Sequence, residues 1–302
     1  RALSLTKLTP HQQEKLVECR ELSPTDGVDA PFKKQIHVMA PAGAGKTFIA
    51  LHILVELLDR PGSKLKALFV ARNASLCWFV AKWLAERAKD ATSRKRLLGS
   101  LHLLSEPFED PCGIRYDSST SRLVPQAIED APATYDLVCV DEAHHIYRDP
   151  KLREVVEARV AHRRVLLSDV SQSLGKDLEY PEKMQEVRLT EVVRCSKRIV
   201  QAASTFQIGD KSAETRLDTQ CHHESDGPPV KSFLFDLPDG ANGETRFDLY
   251  AEKVVEALRH VTSNFKGLQL QNRVAILVPD QDFLDGLRPR LLPQLEHCRS
   301  PE

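Results

Sequence analysis

Residues 40–47, Ala40-Pro41-Ala42-Gly43-Ala44-Gly45-Lys46-Thr47, constrain this chain more than any other stretch. They follow the apolar-leaning run 35–39 and precede a helical pattern over 48–58, so the region reads as strand, glycine-rich loop, helix. Glycines at such a junction let successive backbone N–H groups curl round an anion at a helix N-terminus. The lysine adds a charge, and the threonine hydroxyl offers an oxygen to a divalent cation. Ala40 stands where G-x-x-x-x-G-K-[ST] has its first glycine. Its loss is expected to matter less than loss of Gly45 or Lys46, because the later loop amides and the lysine carry the grip. The plain alternative is a chance tight turn with an exposed lysine, and the strand and helix on either side favour the phosphate loop over it.

A chain of 302 residues suits two domains of roughly 100 to 200 residues each. With 41% hydrophobic and 28% charged residues it is globular in composition, and no apolar run nears the ~18 residues of a membrane span. A net charge of −1 neither demands nor excludes a nucleic-acid partner. The seven cysteines are odd in number and lack a C-x-x-C pair, an expectation of reduced thiols and of a cytoplasmic or nuclear setting. Cys221-His222-His223 invites a metal reading, but no second cluster supplies the remaining ligands of a zinc site. The start at Arg1 and the stop soon after a strand-and-helix pattern lead us to expect a segment of a longer protein.

Along the chain, Thr9-Pro10 suits an N-cap and the first helical position, which puts Gln12 just before the loop in space to read a base edge; a solvated helix face is the plain alternative. Buried strands are predicted at 65–71, 135–140 and 163–167, with a further one at 101–104. A helix over 74–84 carries Trp78, Phe79 and Trp83, and the basic cluster 94–96 follows; together they can touch a phosphate backbone or form an ordinary helix face and end. Residues 105–132 read as an irregular excursion. The strand 135–140 ends in Asp141-Glu142-Ala143-His144. An acid at the end of a parallel strand can hold the water shell of Mg²⁺, and its neighbour can take a proton from attacking water. The next strand ends in Ser168-Asp169-Val170-Ser171-Gln172, where Gln172 is suited to orient water or bond a γ-phosphate oxygen. Arg194 can aim a charge at the same phosphate or pair with Glu191.

Polar residues 209–231 read as a linker between a domain at 1–208 and an incomplete one at 232–302. The latter has expected strands at 232–235 and 273–278 around a helix at 246–261. Alternating strands and helices give an α/β fold with a parallel sheet covered by helices on both faces.

Taken together, Gln12, residues 40–47, Asp141 to His144, Asp169 to Gln172 and Arg194 resemble, in order and spacing, the motifs of superfamily 1 helicases. The resemblance implies two RecA-like P-loop NTPase lobes, the second only begun here, with ATP and Mg²⁺ as cofactors. It implies nucleotide contacts from Gln12, Gly43, Ala44, Gly45, Lys46 and Thr47, and a metal site at Thr47 and Asp141. Glu142 would activate water, Gln172 and Arg194 would sense the γ-phosphate, and Arg72 with Asn73 would border the nucleic-acid strand. The 167–172, 180–183 and 189–194 spellings look most like the helicase domain of Schlafen proteins and their DUF2075 relatives, without their RNA-cleaving domain. The DEAH spelling also resembles superfamily 2 RNA helicases, whose Ser-Ala-Thr third motif Ser168 to Gln172 does not fit.

The expectation is therefore an ATPase and helicase or translocase acting on single-stranded RNA or DNA, joined to other domains of a longer chain. The family's later motifs, with a second arginine, are expected beyond Glu302. The alternative is a nucleotide-gated binding or signalling module that does not unwind.

Overall fold

A computed structural model describes residues 8–22, 35–60, 62, 64–128, 131–169, 172, 178–205, 219–223, 226–237, 245–265, 267–268, 270 and 273–297. Val170, Ser171, Cys298 and most of the expected linker lie outside them. The chain divides into two compact units, 1–229 and 230–302.

In the first unit the elements run α1 (Pro10–Leu22), β1 (Ile36–Met39), α2 (Lys46–Leu58), β2 (Ala67–Val70), α3 (Ala74–Arg87), α4 (Ala91–Ser100), β3 (Leu101–Leu104), β4 (Gly113–Asp117), β5 (Arg122–Gln126) and β6 (Leu137–Val140). They continue with α5 (Ala143–Tyr147), α6 (Pro150–Glu157), β7 (Arg164–Ser168), β8 (Gln185–Arg188), β9 (Glu191–Val192), α7 (Lys197–Thr205) and β10 (Gln220–Cys221). Six strands form one sheet in the order β3-β2-β6-β7-β1-β8, and every neighbouring pair is parallel. This is a P-loop NTPase-like α/β architecture, as the alternation of strand and helix patterns predicts.

Alternation of side chains along each strand sends successive residues to opposite faces. Phe69, Cys139, Val165 and Leu167 join Ile49 and Leu54 of α2, Leu84 of α3 and Leu97 of α4 on one face. Leu68, Val70, Val138, Val140 and Leu166 join Ala143, Ile146 and Tyr147 of α5 and Val156 of α6 on the other. Both faces are covered, which is why β2, β6 and β7 are near-continuous apolar runs. Each fully buried leucine of α2 contributes about 1.5–3 kcal/mol of burial.

Two parts differ from the sequence reading. The stretch 105–132 contains an antiparallel hairpin, β4 with β5, whose turn is closed by Asp117 Oδ1 accepting from the Ser119 amide at 2.9 Å. Its half-exposed strands lack the clean apolar alternation that announces a hairpin in sequence. In the second unit, 232–235 and 273–278 carry no strand pairing among the described residues, and Leu234 and Leu277 are about nine-tenths exposed. A strand is defined by a ladder partner, which local pattern alone cannot supply. The expected helix there is present as α8 (Thr245–Asn264), which packs on α9 (Gln281–His297) through Phe247, Ala251, Val255, Leu287 and Leu291. Among the described residues no helix is long and apolar enough to cross a membrane.

Candidate nucleotide site

The carboxyl ends of β1, β6 and β7 lie side by side, so the three loops that leave them meet at one edge of the sheet. Residues 40–47 leave β1. Gly43 and Gly45 sit at φ 82° and 93°, the left-handed region that glycine enters without strain. Ala40 is not among the residues at positive φ; its amide donates to Ser168 O at 3.0 Å and extends the β1 ladder. The first loop position thus has no need of glycine. Lys46 is buried at the start of α2, and its Nζ donates to Ala40 O at 3.1 Å.

Thr47 Oγ1 donates to Asp141 Oδ2 at 2.7 Å, which ties the loop to the end of β6. Asp141 is wholly buried, and burial, aided by the charge of Glu142, raises its carboxyl to about 6 against the pull of the Thr47 hydrogen bond. An alcohol and a carboxylate this close, with a carboxyl starved of positive charge, fit the hard oxygen donor set of Mg²⁺. Glu142 is held at φ 50°, a left-handed conformation that costs a non-glycine residue about 1–2 kcal/mol. That turn starts α5 and leaves the buried Glu142 Oε2 3.3 Å from His144 Nε2, out of hydrogen-bond alignment. His144 accepts the Asp169 amide on Nδ1 at 3.2 Å, so the ends of β6 and β7 are joined through its ring. Burial and the neighbouring His145 lower its pKa to about 4 and keep the ring neutral. Glu142, His144 and His145 bring three ligand atoms within 4.8 Å of one another, but one His144 nitrogen is already taken by Asp169.

Gln172 donates to Asp169 Oδ2 at 2.7 Å, beside the same edge. Arg194 packs against the loop from the other side: a Cβ built on Gly43 would stand 2.9 Å from Arg194 Cβ, and Val193 N donates to Gly43 O at 3.0 Å. Glu191, the alternative partner of Arg194, takes Thr9 Oγ1 at 2.8 Å and His222 Nδ1 at 3.0 Å. Gln12 also reaches the loop. Its Nε2 donates to Ala44 O at 2.8 Å and its Oε1 accepts from Thr9 N at 3.0 Å. All the residues singled out in the sequence for nucleotide chemistry therefore border one edge of the sheet.

Residues 5–168, more than half of the chain, match the family described as "Type III restriction enzyme, res subunit". The chain belongs to the type III restriction enzyme res subunit family. The matched span of this res-subunit domain holds Gln12, the glycine loop and Asp141 with Glu142; Gln172 and Arg194 fall outside it. The membership makes it a P-loop domain of the helicase and ATPase type. No curated protein matches. Among solved structures, the Aeropyrum pernix ORC1 protein in complex with DNA is similar at 15% identity and a TM-score of 0.34, over 62% of this chain. The match covers 48% of the length of that protein's chain.

Other sequence-based candidates in the res-subunit domain have structural partners. Asn73 caps α3 by accepting the Ser75 amide at 2.8 Å, while Arg72 is exposed, 3.9 Å from Glu106. In the 94–96 cluster, Arg94 lies over the Tyr116 ring and donates to Ala85 O, and Arg96 pairs with Asp59. Trp83 is buried, and Trp78 and Phe79 pack against the core. The aromatics and both arginines thus hold α3 and α4 in place. The sequence reading missed Glu191, His222 and His223 as neighbours of Gln12. Together with Leu8, Thr9, Pro10, Phe48 and Val193, the two histidines line a cleft of about 330 Å³ beside the loop. Nothing local announces it, because β10 reaches the site by pairing with β9 from 29 positions away along the chain (Gln220 opposite Glu191).

Proposed function

We propose that this chain is the ATP-binding and ATP-hydrolysing part of a superfamily 1-type helicase or translocase that acts on single-stranded nucleic acid, of the Schlafen/DUF2075 kind. The observation that carries the reading is the 2.7 Å link between Thr47 and Asp141, which joins a phosphate-type loop to a buried strand-end acid. Thr47 and Asp141 would hold Mg²⁺, which would supply charge neutralisation for the β- and γ-phosphates. The backbone amides of residues 43–47 and the Lys46 ammonium grip the phosphate oxygens, with a move of Lys46 off the Ala40 carbonyl. Glu142 takes a proton from water, and neutral His144, anchored on the Asp169 amide, lies 3.3 Å from that carboxylate without hydrogen-bonding it. Gln172 and Arg194 approach the γ-phosphate from β7 and from β9. The same reading divides the chain at 1–208, 209–231 and 232–302, with a second RecA-like lobe beginning in the last. A cytoplasmic or nuclear setting and further domains of the same chain belong to the same reading.

The test is ATP turnover with and without single-stranded RNA or DNA, on the parent, Lys46→Ala and Glu142→Gln proteins. Loss of the Lys46 charge is expected to weaken ATP binding about 10- to 100-fold. Glu142→Gln is expected to keep binding while turnover falls about 10²- to 10⁴-fold. Binding without strand-stimulated turnover in the parent would favour the nucleotide-gated module. Unchanged turnover in Glu142→Gln would remove the general-base role.

A further inference from the structure

We propose that Glu191 is a positioning residue that holds Arg194 against the phosphate loop, and that the preference of the site for a nucleoside triphosphate over a diphosphate depends on it. The inference rests on the reading of Arg194 as a γ-phosphate contact and extends it to a side chain outside the residues singled out for nucleotide chemistry.

Arg194 is exposed, at a bend between β9 and α7. Backbone pairing gives that bend little support, because β9 and its partner β10 are each two residues long, and a two-stranded piece of that size is not stable by itself. Glu191 supplies what the ladder lacks. Its Oε2 accepts from Thr9 Oγ1 at 2.8 Å and its Oε1 lies 3.0 Å from His222 Nδ1, so one carboxylate ties the chain before α1 to both short strands. Thr190 N donates to His11 Nε2 at 3.2 Å and adds a second tie to α1. Burial pushes the Glu191 carboxyl up, but the hydrogen bonds with His222 and Thr9 outweigh that and hold it below the usual glutamate range. The partners therefore meet the ionised form, which makes the stronger hydrogen bonds.

These contacts close a circuit on the phosphate loop. Thr9 N donates to Gln12 Oε1 at 3.0 Å, and Gln12 Nε2 donates to Ala44 O at 2.8 Å. On the other arm Val193 N, the amide just before Arg194, donates to Gly43 O at 3.0 Å. Gly43 and Ala44 are consecutive, so Glu191 is joined to the loop by two paths, one through α1 and one through the bend. Arg194 packs on Gly43 so closely that a Cβ built there would stand 2.9 Å from Arg194 Cβ. Without the carboxylate the path through Thr9 is lost, and the bend keeps Val193 N, the contact of His223 with Val193 O and the short ladder. A small tilt of the bend becomes a larger displacement at the far end of an arginine side chain, and displacements of about 1 Å are costly in a phosphate contact. The loop amides and Lys46 do not share that lever, so the loss falls on the terminal phosphate.

Titration calorimetry in Mg²⁺ with ADP and with an ATP analogue carrying an imido β–γ bridge tests this on the 302-residue chain. Arg194→Ala is expected to weaken the analogue about 10- to 100-fold and ADP less than about threefold. Glu191→Ala is expected to weaken the analogue about 10-fold with ADP again within about threefold, and Glu191→Gln, which keeps an oxygen for the Thr9 hydroxyl, to return the analogue to within about threefold of the parent. In the Arg194→Ala background Glu191→Ala is expected to cost the analogue less than about twofold more, because its effect runs through the arginine. Should Glu191→Ala fail to fold, Thr9→Val removes one anchor at nearly constant shape and decides by the same ratio of analogue to ADP. Equal weakening of ADP and analogue, or an undiminished effect of Glu191→Ala without the arginine, overturns the inference and leaves Arg194 in its role. An unchanged ratio in Arg194→Ala itself would instead overturn the γ-phosphate reading of Arg194, and the positioning role with it.

Discussion

Asp141 carries the sharpest conflict between folding and chemistry in the molecule. Its carboxyl titrates near 3.8 in an unfolded chain and about 6 in the fold, because burial penalises the charged form. Between those values the folded state holds a proton that the unfolded state has released. Stability from this group is therefore complete below pH 3.8 and is lost as pH rises through 6. At pH 7.5 the charged carboxylate costs on the order of 2–3 kcal/mol without a cation. Asp141→Asn removes the charge at constant shape and can still meet the Thr47 hydroxyl. Scanning calorimetry at pH 7.5 without Mg²⁺ is expected to place the midpoint of this variant a few degrees above the parent, with the difference gone at pH 4. A midpoint lower than the parent's at pH 7.5 would show that the carboxylate is compensated inside the fold.

At the scale of elements, α1 and the loop before α2 are joined by Gln12. A Cβ on Gly45 would lie 2.3 Å from Gln12 Nε2, and the backbone there is left-handed. Gly45→Ala therefore combines backbone strain of about 1–2 kcal/mol with displacement of the Gln12 amide. Gln12→Ala relieves the second cost and not the first. A double-mutant cycle by urea denaturation is expected to give a combined loss smaller than the sum of the two single losses, by about 0.5–2 kcal/mol. Simple additivity would mean that the Gln12 side chain swings away at little cost. Gly286 in α9 shows the same close approach without the backbone strain: Phe247 of α8 fills the space where its Cβ would stand.

For the whole molecule, the division at 229/230 implies that the parallel sheet, both of its cores and the nucleotide cleft form one unit. Residues 1–229 expressed alone are expected to fold and to bind ATP within about threefold of the 302-residue chain, measured by titration calorimetry. A large loss would mean that 230–302 shapes the cleft. Much of this unit was legible in the sequence because its signals are local. Strand, glycine loop and helix are contiguous at 35–58, and Asp141-Glu142 follows directly on the apolar run that becomes β6. Gln12 was placed near the nucleotide, but its bond to Ala44 is a matter of tertiary approach. The β9–β10 pairing and the 273–278 run, which has no ladder partner among the described residues, depend on which distant backbone lies alongside, and the half-exposed hairpin β4–β5 lacks apolar alternation; composition records none of that.

The position of β7 between β1 and β6 has a mechanical meaning. Adjacent strands lie about 4.8 Å apart, so β7 is a spacer that sets the ends of β1 and β6, from which the Lys46 loop and Asp141 project, two strand widths apart, about 10 Å. Leu166 and Leu167, wedged into opposite cores, hold that gauge from both faces. A core substitution there acts on the jaws of the site as a loosened shim acts on a vice, so the precision of the chemistry is built as much from buried leucines as from the charged residues at the edge.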